Sequence, residues 1–177
     1  MERIELKVIT ALIMLGILLM PLSSEAGALF HATKKVAAKR IMQRGFSAKM
    51  MKPNARFGKG VYASESKSLA LKEKPTSDSV VVLKDTKMLQ QYKINTSSLT
   101  KDKLKKLSGD LDLRGNVRKG IIGPDLGRKI GKTAAKSGNV VVYPSVKGKG
   151  NNYFIPQSVY QEHPKIIRPS KVISEGR

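Results

Sequence analysis

Apolar and polar positions along the chain change period several times, and each change marks an element. The first 26 residues hold one unbroken apolar run, "VITALIMLGILLMPL", behind a short charged start with Arg3 and Lys7. The run is shorter than the roughly 20 apolar residues of a membrane-spanning helix and is closed by Pro21. Small Ser24 and Ala26 follow at the positions a signal peptidase reads, so an export signal cleaved after Ala26 is expected, with a retained anchor as the alternative. Beyond it, "GALFHAT" reads as a strand. "KKVAAKRIMQR" then takes a helical period, with Val36, Ala37 and Ile41 as its buried stripe, Thr33 as its cap and Gly45 as its stop.

The pattern continues in short pieces. "GVYAS" is a half-apolar strand, Ser66 caps the helix "KSLALKEK", and Pro75 ends it. The β-branched "SVVVLKD" is a plain strand. "TSSLTKDKLKKLSG" holds a basic helix, and "GPDLGRKIGKTAAKSG" a second that starts near Asp125 and has Gly138 just past its end. "NVVVYPSV" and "NNYFIP" are strands joined by the turn "KGKG". This order predicts one α+β domain over residues 27–168 with four or five short strands, followed by a loose tail over 169–177.

Charge changes the picture of partners. Lys and Arg number 34 against 13 Asp and Glu, a net charge of +21 in 177 residues. The leader carries more acid than base, so the excess belongs to the chain beyond it. Such a charge favours anionic partners, nucleic acid or a membrane surface among them, in encounters that weaken as salt rises. Aromatic residues are only 5% and are not interleaved with the basic ones, which argues against a stacking platform for single strands.

Several chemistries are excluded by residue type. No cysteine is present, and His31 and His163 are the only histidines, so a zinc site would need carboxylates from a chain with few. No G-x-S-x-G occurs, and Ser145 follows Pro144, which suits a strand end and not a nucleophile elbow. The glycines of "GPDLGRKIGKT" match neither the dinucleotide fingerprint nor a phosphate loop.

What remains is a distributed set of residues, and it carries a resemblance. "LFHATKKVAAKRIMQRGF" followed by "RFGKGVYASES" resembles the opening of the ADP-ribosyltransferase fold in its diphtheria-toxin and poly-ADP-ribose-polymerase branch. His31 matches the first motif of that branch and Tyr62 the second. "NNYFIPQSVYQEHPKII" is similar to its last motif, with Asn152 where a glutamate is expected. "GVYASESKSLALKEK" and "VVVYPSVKGKGNNYFIP" also resemble the RES domain of NAD-consuming toxins, in which Glu73 and Ser145 match signature positions. The arginine expected first in that domain is absent from its place, and Arg56 is the nearest substitute.

The resemblance implies an α+β fold with a split mixed sheet and short flanking helices. It implies NAD⁺ as substrate, and either transfer of ADP-ribose to a macromolecular acceptor, protein or RNA, or hydrolysis of NAD⁺. It assigns catalysis to His31, Tyr62, Glu73 and Asn152, and NAD⁺ binding to His31, Thr33, Arg56, Gly58, Gly60, Tyr62, Ser64 and Ser145. Cleaving the bond between nicotinamide and ribose requires holding a flat leaving ring and stabilising positive charge on the sugar. A tyrosine face suits the ring, an imidazole suits a ribose hydroxyl, and Arg56 or Lys59 suits the pyrophosphate. The plain alternatives are a strand aromatic at Tyr62, a turn at Gly58 and Gly60, and a solvated helix residue at Glu73. An exported toxin or effector, with an inhibitor protein for the producing cell and no membrane span after cleavage, is one expectation. A non-enzymatic exported binder of anionic polymers is the other.

Overall fold

Val80 to Leu83 are fully buried, and a run of four β-branched or apolar residues can be buried on both sides only as an interior strand. The computed structural model describes residues 27–84, 93–108, 117–118, 121–162 and 168–174. The expected signal segment 1–26, His163 and the last three residues lie outside them. Among the described residues the strands are β1 (Leu29–Thr33), β2 (Gly60–Ser64), β3 (Ser79–Lys84), β4 (Lys93–Asn95), β5 (Val117–Arg118), β6 (Ile121–Ile122), β7 (Val140–Pro144), β8 (Asn151–Pro156) and β9 (Arg168–Ser174). The helices are α1 (Lys35–Arg44), α2 (Lys67–Glu73), α3 (Lys101–Ser108), α4 (Pro124–Lys136) and α5 (Gln157–Glu162).

Seven strands form one sheet in the order β4-β7-β8-β2-β1-β3-β9, and β5 and β6 form a separate hairpin. The β4–β7 pair is parallel and the other pairs are antiparallel. The fold is therefore α+β with a mixed sheet and short flanking helices. β1 pairs with β3 over five residues and β2 with β8 over five, yet β1 and β2 share a single pair, Phe30 with Ser64. The two halves of this one sheet are thus joined through a single ladder pair. A gap there leaves backbone polar groups unpaired by the ladder, which side chains or a ligand must then satisfy.

Alternation along the strands assigns the two faces. Leu29, Val61, Ala63, Val81, Leu83 and Ile155 pack with Ala38 of α1 and Val159 of α5. On the opposite face, Phe154 and Val141 pack under Leu126, Ile130 and Ala134 of α4, while Ala32 and Val80 pack under Ala70 of α2. Gly127 and Gly131, one turn apart on α4, are where a side chain would meet the backbone carbonyls of Arg56 and Phe57. The glycines of "GPDLGRKIGKT" therefore seat the loop before β2 against α4.

Four expectations need correction. The tail is not loose, because residues 168–174 form β9 along the edge of β3. Val172 packs on the core, and at a bulge the Ser170 hydroxyl donates to the Val82 carbonyl at 3.1 Å; Pro169 is tolerated because the strand is an edge. The strands outnumber the four or five expected, since β4, β5, β6 and β9 are too short or too polar to read as periodic runs. Thr33 does not cap α1: Lys34 holds the cap position, and the Asp78 carboxylate accepts from the Lys35 N–H at 2.6 Å. Finally, the stripe of α1 is rotated, with Ala38 buried and Val36 65% exposed. Ser66 does cap α2, its hydroxyl accepting from the Leu69 N–H at 3.1 Å.

Candidate functional site

Where the sheet opens between β1 and β2, the carbonyl of Tyr62 has no strand partner on the β1 side and takes the His31 ring instead. The Nδ1 of His31 lies 2.7 Å from that oxygen. A carbonyl only accepts, so Nδ1 carries the proton and Nε2 is left as an acceptor. Burial lowers the His31 pKa to about 4; the bond to Tyr62 opposes this, and the positive charge of Lys74 adds to it. The ring is therefore neutral at pH 7. Phe46 stands edge-on to it at 5.0 Å between centroids and fixes its plane.

Tyr62 lies on the other face of the sheet, its ring 5.0 Å from that of Phe154. Its hydroxyl donates to the Gly58 carbonyl at 3.0 Å and accepts from the Phe57 N–H at 3.0 Å. The phenol is thus an anchor for the loop before β2, and burial pushes its pKa up to about 12. Gly58 has φ 97°, a left-handed conformation that presents this carbonyl and that other residues rarely adopt.

The polar residues of the second half meet around Glu73. Ser64 and Asn152 are opposite one another across β2 and β8, both 3% exposed, and the Ser64 hydroxyl donates to Asn152 Oδ1 at 2.6 Å. Asn152 Nδ2 then donates to Glu73 Oε1 at 2.7 Å, and the Ser145 hydroxyl donates to the same oxygen at 2.6 Å. The Lys147 N–H donates to Ser145 Oγ at 2.9 Å and orients that hydroxyl. Residues from β2, α2, β8 and the turn after β7 thereby form one chain of hydrogen bonds that ends on a carboxylate, whose Oε2 accepts neither bond. An amide suits position 152 for a physical reason: a glutamate there would set a second carboxylate against Glu73.

A cleft of about 620 Å³ joins these groups across the split. His31, Thr33, Gly60, Tyr62, Ser64, Glu73 and Asn152 all line it, so seven of the ten residues expected at a site share one hollow. Both His31 and Tyr62 border it although their side chains belong to opposite faces of the sheet.

Three expected residues do not line the cleft. Arg56 lies with its guanidinium 5.8 Å from the centre of the Tyr143 ring, a cation–π placement outside the cleft's lining. Gly58 is a turn residue, and Ser145 reaches the cleft only by its hydrogen bond to Glu73. Gly60 borders the cleft, but its bareness serves the close approach of β8, since a side chain there would meet the Ile155 carbonyl. Lys59 belongs instead to a separate groove of about 410 Å³, which Arg128, Lys132 and Gln157 also line. The cations that do border the cleft are Arg40, Lys52 and Lys74. Nothing in their local sequence separates them from the many other basic residues, so only the fold reveals them.

Neither a known family model nor a curated protein matches this chain. Among the described residues, no group of three His, Asp or Glu side chains could hold a metal ion. No helix of the described residues is long and apolar enough to cross a membrane.

Proposed function

We propose that the split-sheet cleft binds NAD⁺ and cleaves its bond between nicotinamide and ribose, as the resemblance to ADP-ribosyltransferases suggests. The observation that carries this reading is the convergence of His31, Tyr62, Ser64, Asn152 and Glu73 on one cleft, with Ser145 bonded to Glu73 from outside its lining. Glu73 replaces the glutamate expected at position 152. Held by two donors on Oε1, it balances positive charge on the ribose as the bonding electron pair leaves with neutral nicotinamide. His31, neutral and with Nε2 free to accept, takes a ribose hydroxyl. Tyr62 offers a ring edge or face to the pyridine and is already tethered, so little freedom is lost when a ligand packs there. A macromolecular nucleophile, protein or RNA, or else water, completes the substitution at the sugar carbon. The export signal expected in residues 1–26 supports reading this activity as that of a secreted toxin or effector, with an inhibitor protein as its partner in the producing cell.

A second reading rests on a different observation. Lys59, Arg128 and Lys132 line one groove, and on α3 Lys103, Lys105 and Lys106 are exposed. This basic surface fits an exported binder of anionic polymers without catalysis. Incubation with NAD⁺ separates the two. The first reading expects nicotinamide release that drops about 100-fold or more in Glu73→Gln, a change at an exposed helix end that leaves the fold in place. Intact NAD⁺ together with salt-sensitive RNA binding overturns it in favour of the second.

A further inference from the structure

The cleft has two chemically different ends. Glu73 and Lys74 are neighbours in sequence, yet the Glu73 carboxylate is drawn to Ser145 and Asn152 while Lys74 bears on the other half of the sheet. Burial lowers the Lys74 pKa, and the charges of Lys52 and Lys34 lower it further, so these cations stand close enough to repel one another. Lys74 also depresses the pKa of His31, which puts its charge on the histidine side. Arg40 from α1 borders the same space. Among the described residues, no ion pair engages Arg40, Lys52 or Lys74. Like charges gathered at one end of a hollow, with its Glu73 carboxylate bonded to Ser145 and Asn152 at the other, create a local positive potential that a ligand with adjacent negative charges would relieve.

We infer that Arg40, Lys52 and Lys74 hold the diphosphate of the cleft's ligand, so that the ligand lies with its diphosphate on the His31 side and its glycosidic carbon on the Glu73 side. This rests on the NAD⁺ reading for the identity of the ligand, but the anion-binding rim stands on the cations themselves. It moves the pyrophosphate role from Arg56 and Lys59, which lie outside the cleft, to three residues within it. The chemical class recognised is a nucleoside diphosphate ester, in preference to an uncharged nucleoside.

Titration of ADP-ribose into the protein, with adenosine as the uncharged comparison, tests the assignment without any catalytic readout. ADP-ribose is expected to bind and adenosine to bind far more weakly, and the Lys52→Gln/Lys74→Gln double variant should lose affinity at least about tenfold and flatten the salt dependence. Lys103→Gln/Lys106→Gln on α3 removes the same net charge elsewhere and should leave binding unchanged. Equal weakening by both double variants would show diffuse charge and overturn the proposal, as would failure of ADP-ribose to bind the unaltered chain. Thermal unfolding of each variant separates loss of the rim from loss of the fold. Binding that depends on Lys52 and Lys74 in a protein that leaves NAD⁺ intact would refute cleavage while upholding the rim. Cleavage with an unaltered KM in the Lys52→Gln/Lys74→Gln variant would refute the rim alone.

Discussion

Strands β3 and β8 are both interior strands, one in each half of the split sheet, and they bury different things. β3 carries Val80, Val81, Val82 and Leu83, all at 0% exposure, and contributes no side chain to the hydrogen-bonded set. β8 reaches its apolar pair Phe154 and Ile155 only after Asn151 and Asn152, and Asn152 is 3% exposed. Burying an amide is costly unless its bonds are made, and Asn152 makes them to Ser64 and Glu73. Packing and polar alignment are thus divided between the halves: β3 holds the fold by burial, and the start of β8 uses buried space to align a carboxylate.

The contrast can be broken most severely at β3. Leu83→Ala should cost about 2–5 kcal/mol by chemical denaturation, through lost burial and the cavity left behind. A loss below 1 kcal/mol would mean that β3 is not the anchor described. The next effect belongs to the split itself. Because the folded-state pKa of His31 is near 4 and that of an unfolded histidine near 6.5, the unfolded chain binds more protons between these values. Stability from the buried neutral ring is fully present above pH 6.5 and is lost as pH falls toward 4, by at most about 3 kcal/mol. Unfolding measured across this window should lose that part of its slope in His31→Asn, and an unchanged slope would place the ring in solvent.

Two smaller changes sharpen the role of β8. Asn152→Asp exchanges the donor to Glu73 for a second carboxyl group. It should lower stability by about 1–3 kcal/mol at neutral pH, with recovery in acid as one of the pair is protonated. Equal destabilisation at all pH values would show that the two groups are not neighbours. At the small end, Ser66→Ala removes the cap of α2, the helix that presents Glu73, and should cost about 1 kcal/mol.

How far the sequence revealed this division depends on periodicity. β3, β7, the two β2–β8 partners, the cap of α2 and the limits of α4 are visible because local pattern and capping chemistry agree with the fold. β4 and β9 are not visible, since three residues carry no period and "RPSKVIS" owes its strand to the open edge of β3. His31, Tyr62, Glu73, Ser145 and Asn152 were recognisable as residue types. That Glu73 bonds Asn152 across 79 positions is a tertiary fact with no local trace. The same holds for the basic rim: Lys52 and Lys74 are ordinary surface lysines until the loop and the helix end bring them to one hollow, whereas Arg56 lies by the Tyr143 ring outside its lining.

A structure of Glu73→Gln with NAD⁺ bound measures the central claim most directly, because the substitution keeps the amide-sized shape while slowing cleavage. The dinucleotide is expected across the gap between β1 and β2, with nicotinamide beside Tyr62, a ribose hydroxyl on His31 Nε2, and the glycosidic carbon facing position 73. NAD⁺ seated instead in the groove of Lys59, Arg128 and Lys132, or a cleft that stays empty at saturating NAD⁺, would contradict it.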